Sequence, residues 1–120
     1  MAFTDPITVT IGGVAKDLVR INSGNRQSEY FLAETGNEYS LFIRSSDLNV
    51  EADGRQRVRH NMSLRHTVMA TDTDPMLTRQ ASCTVEHYKG DDPVEFDDVA
   101  LAIAGLTTAP NIVKLNNYES

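Results

Sequence analysis

Apolar and polar residues alternate almost from the start of the chain. In ITVTI, residues 7–11, Ile7, Val9 and Ile11 fall on one side and two threonines on the other, the period of a strand with one buried face. Gly12-Gly13 supplies a tight hairpin turn, VAKDLVRI (14–21) is the return strand, and NSGN (22–25) has loop chemistry. SEYFLAET (28–35), EYSLFIRSS (38–46) and RQRVRHNMSLRHTVM (55–69) continue as β-rich segments, separated by Gly36-Asn37 and by the polar DLNVEADG (47–54). After the turn-forming ATDTDP (70–75), TRQASCTVEHY (78–88) predicts a sixth strand.

The period then changes. Phe96, Val99, Ala100, Ile103 and Leu106 recur at steps of three and four, the spacing of one helix face. Asp92 is the predicted N-cap, Pro93 the first helical residue and Glu95 the closing member of a capping box, and the acids of the first turns suit the helix dipole. APNIVKLNNY (109–118) predicts a short second helix beginning at Pro110. Strands first and helices last describe an α+β fold. It consists of an N-terminal hairpin, an antiparallel meander sheet and two C-terminal helices covering one face, in a single domain over residues 1–120.

Parity assigns the faces. In the long strand, Val58, His60, Met62, Leu64, His66 and Val68 share one side, and Arg57, Arg59, Asn61, Ser63, Arg65 and Thr67 the other. Ala81, Cys83 and Val85 oppose Gln80, Ser82, Thr84, Glu86 and Tyr88, and Leu41 and Ile43 oppose Ser40, Phe42, Arg44 and Ser46. One face is core and the other polar.

Charge changes the picture at this point. The chain has 120 residues and a formal net charge of -6, yet residues 55–68 hold four arginines, two histidines and no carboxylate. A solvated sheet face normally mixes both signs, whereas Arg44, Arg57, Arg59 and Arg65 meet only Glu86 among the residues placed opposite them. Arginine forks beside Ser, Thr and Asn match the demands of phosphate oxygens, and Phe42 offers a ring for an unpaired base. Two readings stand side by side here: a nucleic-acid surface and a solvated face.

Other chemistry finds little support. His60 and His66 lie about 20 Å apart by strand rise, too far to share a metal or a proton, and are read as core or interface histidines. Asp72 and Asp74 lack the glycine and distal glutamate of a calcium loop and are read as turn formers. Cys83 is the single cysteine, falls on the core side and follows no catalytic pattern. The expectation is a non-enzymatic protein without cofactor or metal. The N-terminal MAFTDPITV has an acid and a proline where an export signal would have basic and then apolar residues. The longest apolar run, VALAIA (99–104), is far short of the ~20 residues of a membrane span, so a soluble protein with no membrane partner is expected.

The order of hairpin, antiparallel sheet, polar loop, long strand and two terminal helices resembles the coat proteins of small single-stranded RNA bacteriophages, the levivirus type. DPMLTRQA (74–81) resembles the run entering the last strand in one subgroup, and KLNNY (114–118) is similar to its tyrosine-containing tail. The resemblance implies a homodimer interlocked through Phe96, Val99, Ile103 and Leu106. It implies an icosahedral shell whose dimers meet through Thr71, Asp72, Thr73, Asp74 and Pro75. It also implies an inner sheet face that binds single-stranded RNA through Phe42, Arg44, Ser46, Arg57, Arg59, Asn61, Ser82, Thr84 and Glu86. The virion, assembled in the bacterial cytoplasm, is the location that follows. Translational repression through an RNA hairpin belongs to the same resemblance, with one departure: Ser82 and Thr84 stand where well-known members have a base-stacking tyrosine and an acidic or amide residue. The alternative is a cellular dimeric RNA- or DNA-binding module using the same basic face.

Overall fold

The computed structural model describes residues 3–119. Met1, Ala2 and Ser120 lie outside the described residues, and with the first two lies the very start of the segment read above for an export signal. Six antiparallel strands run in sequence order, β1 (Ile7–Ile11), β2 (Val14–Gly24), β3 (Gln27–Glu34), β4 (Asn37–Val50), β5 (Gln56–Val68) and β6 (Leu77–Tyr88). Two helices follow, α1 (Pro93–Leu106) and α2 (Ala109–Asn116). This is the predicted α+β meander.

The first turn has Gly12 at φ 59° and Gly13 at φ 79°, two consecutive left-handed residues that only glycine adopts without cost and that match the twist of a two-residue hairpin. The first half of β2 pairs with β1, from Val14 opposite Ile11 to Leu18 opposite Ile7, and its second half pairs with β3. This division lets the hairpin curl over the sheet, so that Ile7, Val9 and Ile11 pack on a cluster of Leu18, Tyr30, Tyr39 and Leu41. Leu18 and Tyr30 are fully buried. The guanidinium of Arg20 donates to the Tyr30 hydroxyl at 2.8 Å and to the Phe3 carbonyl at 2.7 Å, holding the N-terminal segment against the core.

Two expected loops are shorter in the structure. NSGN is strand as far as Gly24, because Asn22, Ser23 and Gly24 pair with Glu29, Ser28 and Gln27 after an irregularity between Arg20 and Asn22. The turn falls instead on Asn25 and Arg26, with Arg26 at φ 64°. Likewise residues 47–50 extend β4, and Asp47 accepts from Arg26 at 2.7 Å and Lys89 at 3.1 Å. Those two cations, Arg26 first, hold the Asp47 carboxyl down to about 2. Ladder pairing and an ion triad outweigh loop-forming composition in both places.

Asp92 caps α1, its Oδ1 accepting from Val94 N at 3.0 Å, and proline occupies the first turn. The expected capping box is corrected in one partner. The Asp92 amide donates to Asp91 Oδ1 at 2.8 Å, so Asp91 takes the place assigned to Glu95. On the core side of the sheet, the Phe96 ring stacks on His87 with centroids 4.0 Å apart and planes 11° from parallel. Beyond that stacking α1 leaves its apolar residues open: Val99 is 72% exposed, Ile103 55% and Leu106 61%. Neither helix buries a residue. A compact chain of this length has a radius of gyration of about 14 Å, and this one has 17.3 Å. The helical layer is unfinished within one chain.

Candidate nucleic-acid interface

The ladder between β4, β5 and β6 sets the polar side chains in rows. Phe42, Ser63 and Ser82 form one row, Arg44, Asn61 and Thr84 the next, then Ser46, Arg59 and Glu86. Arg65 stands between Ser40 and Gln80, and Arg57 opposite Tyr88. Every one of the nine predicted RNA-binding residues therefore shares a face. Phe42, Arg44, Ser46, Arg59, Asn61, Thr84 and Glu86 line a single open recess together with Ser63, Arg65 and Gln80. Ser82 lies in the Phe42 row outside that lining and, on edge strand β6, borders the core-side recess beside α1, while Arg57 sits at the end of the sheet in a separate recess with Tyr88, Asp91, Glu95 and Phe96.

Short hydrogen bonds tie the rows together. Asn61 Nδ2 donates to Thr84 Oγ1 at 2.8 Å, and Gln80 Nε2 to Ser63 Oγ at 2.9 Å. Ser63 is 7% exposed, a buried polar residue on the outward side, covered by its neighbours in the rows. The arginines divide into two kinds. Arg59 Nε donates to Glu86 Oε1 at 2.7 Å, an ion pair already satisfied. Among the described residues, Arg44, Arg57 and Arg65 have no carboxylate within salt-bridge distance. Each instead lies over an aromatic ring. The Cζ atoms of Arg44 and Arg65 are 5.5 and 5.4 Å from the centroid of Phe42, and Arg57 Cζ is 4.5 Å from that of Tyr88. Phe42 is half-buried and flanked by charge, where sequence placed a free exposed ring.

Several residues on this face escaped the sequence-based expectation. Arg65, Ser63 and Gln80 have the right parity but were not among the predicted RNA-binding residues, and the same holds for Tyr88. The contribution of β3 was missed altogether: Gln27 pairs with Arg44 and Glu29 with Phe42, and with Asn22 they line a smaller recess beside the Phe42 ring. Period-two parity applied to SEYFLAET, extended back to Gln27, carried that signal.

The remaining predicted sites behave differently. Residues 71–75 form an exposed turn in which Thr71 N donates to Asp74 O at 2.8 Å and Asp74 N to Thr71 Oγ1 at 3.0 Å. That accounts for Asp74 as a turn former, and among the described residues no group of His, Cys, Asp and Glu has the arrangement of a metal site. On the core side, His60 pairs with a residue that sequence spacing did not suggest: its Nε2 lies 2.8 Å from His87 Nε2, and its Nδ1 2.8 Å from Ser45 Oγ. Burial, with the neighbouring His87 and Arg26, lowers the His60 pKa. His66 bonds Asn37 and stacks on Tyr39, a structural role as expected. Phe96 is half-buried against its own chain's His87, while Val99, Ile103 and Leu106 stay exposed.

Comparison with known proteins adds the following. Residues 4–88, from the N-terminal segment through the end of β6, match the family model described as "Phage phiCb5, coat protein". The match contains the whole sheet and every residue of the polar face, and it stops before α1. No curated protein matches the chain. Nine chains of solved structures match, among them the virus-like particle of bacteriophage ESE001, at 20% identity over 77% of this chain and 88% of that one, with a TM-score of 0.44.

Proposed function

Because this chain belongs to the phage phiCb5 coat-protein family and is a structural protein of the virion, we propose that it builds an icosahedral shell from homodimers and binds single-stranded RNA on the polar face of its sheet. Membership in a phage coat family sets aside the alternative of a cellular nucleic-acid-binding module. The observation that carries RNA binding is the trio Arg44, Arg57 and Arg65. Three permanently charged forks, without carboxylate partners among the described residues, share one face of a chain whose net charge is -6. Held on rings rather than in ion pairs, they reach phosphate oxygens without first breaking a salt bridge.

Dimerisation follows from the helices. Val99, Leu101, Ile103 and Leu106 are each more than half exposed, and fully burying one such side chain contributes about 1.5–3 kcal/mol. The recess between the core side of the sheet and α1 is lined chiefly by apolar residues, among them Ile7, Val9, Leu41, Met62, Leu64 and Ile103, with Ser82 and Thr84 of edge strand β6 at its border, a surface for a second copy's helices. The exposed turn at residues 71–75 is the meeting point between dimers, and assembly takes place in the bacterial cytoplasm. Ser82 and Thr84 supply no ring for a hairpin base, so general packaging, rather than repression through a specific hairpin, is the role this face supports.

Sizing of protein expressed alone in bacteria tests the whole reading. Uniform particles in the void volume containing nuclease-protected RNA are expected. A small dimer free of nucleic acid would contradict it.

A further inference from the structure

Tyr88 is the second aromatic ring on the polar face, and its surroundings repeat those of Phe42. Phe42 carries the guanidiniums of Arg44 and Arg65 over its ring. Tyr88 carries those of Arg55 and Arg57, each with Cζ 4.5 Å from the ring centroid. The Tyr88 hydroxyl donates to Glu51 Oε1 at 2.9 Å, which fixes the ring at the end of the sheet beside the β4–β5 connection. Arg55 is partly engaged, its Nε donating to Asp53 Oδ2 at 2.7 Å, but its side chain is 62% exposed. Arg57 has no carboxylate within salt-bridge distance among the described residues, and Tyr88 first, then Glu51 and Glu86, raise its pKa. Glu51 stands on the Tyr88 hydroxyl and Asp53 on Arg55, and Glu86, Asp91 and Glu95 line the recess that Arg57 and Tyr88 share, so the site is defined by the two guanidiniums on the ring and not by a surplus of positive charge.

A guanidinium resting on an aromatic face holds two nucleotide-binding groups together. When the guanidinium swings to a phosphate, the ring it leaves is open to an unpaired base, and each group finds a stronger partner than water. The geometry points to Tyr88, with Arg57 and Arg55, as a second nucleotide platform, which takes an unpaired base of single-stranded RNA on its ring and the adjacent phosphate on Arg57. Register separates it from the Phe42 platform by the six residues from Arg57 to Ser63 along β5 and by two strands across, roughly 20 Å. One strand of RNA bound at both platforms crosses the Arg59–Glu86 and Asn61–Thr84 rows between them. This inference rests on the RNA-binding reading above and adds to it a location and a path.

The test uses assembly-competent full-length protein and a uridine-rich oligonucleotide of about a dozen nucleotides, within the ~4–16 that such surfaces occupy. Photocrosslinking to the unaltered protein, mapped by mass spectrometry, is expected to label the peptide containing Tyr88 as well as that containing Phe42. Tyr88→Leu is expected to weaken binding about tenfold, the order of one base–ring stacking interaction, with no change in salt dependence. Tyr88→Phe, which keeps the ring and removes the hydroxyl's interactions with Glu51 and Arg57, is expected to bind as the parent does. Arg57→Ser is expected to lower the salt slope by about one. If Phe42→Leu weakens binding while Tyr88→Leu leaves it unchanged and no crosslink maps to Tyr88, the second platform is wrong and RNA binding by the face stands. If neither ring matters and no arginine changes the salt slope, both readings fail together.

Discussion

On one side of β4, β5 and β6 lie Leu41, Met62, Leu64 and Cys83, and on the other, alternating with them along the same strands, lie Phe42, Arg44, Ser63 and Ser82. The first side is closed where the N-terminal hairpin brings its own Leu18 against Tyr30, Tyr39 and Leu41, and open toward β6, where Met62 is 43% exposed and α1 stands off. The second side has no layer over it among the described residues, and its polar groups are satisfied mostly by one another, except for three arginines resting on rings. Each face is incomplete in its own chemistry. The apolar side lacks apolar surface over α1 and Met62. On the polar side, which also carries Glu29 and Glu86, three arginines have no carboxylate within salt-bridge distance among the described residues. In the proposed function a second copy of the chain completes the first and RNA the second.

That division can be broken one face at a time. Ile103→Asp sets a charge into the open part of the apolar layer. The side chain is 55% exposed in the single chain, so the fold of one subunit is expected to survive. In the dimer the charge is buried twice, at roughly 3 kcal/mol or more per copy. Sizing is expected to return monomer, and assembled particles from this variant would refute the placement of the helices. Leu18→Ala attacks the closed part instead. Leu18 belongs to the hairpin's own strand β2, opposite Ile7, and is fully buried, so the truncation is expected to cost about 2–5 kcal/mol in denaturant unfolding. A loss below about 1 kcal/mol would mean that the hairpin does not form part of the core.

Legibility differed between the faces for a physical reason. A side-chain period of two assigns every strand residue to a side regardless of what that side meets, so the split of Arg57, Arg59, Asn61 and Arg65 from Val58, His60 and Leu64 was readable from sequence alone. The core placement of Ile7, Val9 and Ile11 was readable on the same ground. Pair identities across strands depend on register, which the residues do not announce. Hence Glu86 could be placed on the face but not on Arg59, and the His60–His87 pair was invisible because it joins residues 27 apart in sequence. Strand ends were misjudged where polar composition suggested loops, since ladder bonds and the triad of Arg26, Asp47 and Lys89 are non-local.

A smaller effect sharpens the contrast. His60 belongs to the apolar side, and its pKa is lowered from the ordinary 6.5, first by burial and then by His87 and Arg26. Below 6.5 the unfolded chain binds a proton that the folded chain resists, so stability is complete above that value and falls as the pH drops toward the lowered one. Unfolding followed from about pH 7 to about pH 5 is expected to show this decline, with its slope reduced in His60→Gln. An identical slope in the variant would remove His60 as its source. RNA binding by the opposite face is expected to keep its arginine-dependent salt slope over the same range, because arginine does not titrate there.

The measurement closest to the central claim is the dependence of RNA affinity on salt, compared between two sets of arginines on the polar face. Arg59 is already paired with Glu86, while Arg44, Arg57 and Arg65 have no carboxylate within salt-bridge distance among the described residues. Replacing the three free arginines by serine is expected to leave dimers intact and to make the slope of log affinity against log salt shallower by about three, close to one for each phosphate no longer neutralised. Arg59→Ser alone is expected to change it by less than about one. An unchanged slope in the triple variant, with RNA packaged as by the parent, would mean that this face is merely solvated and that the RNA is held elsewhere.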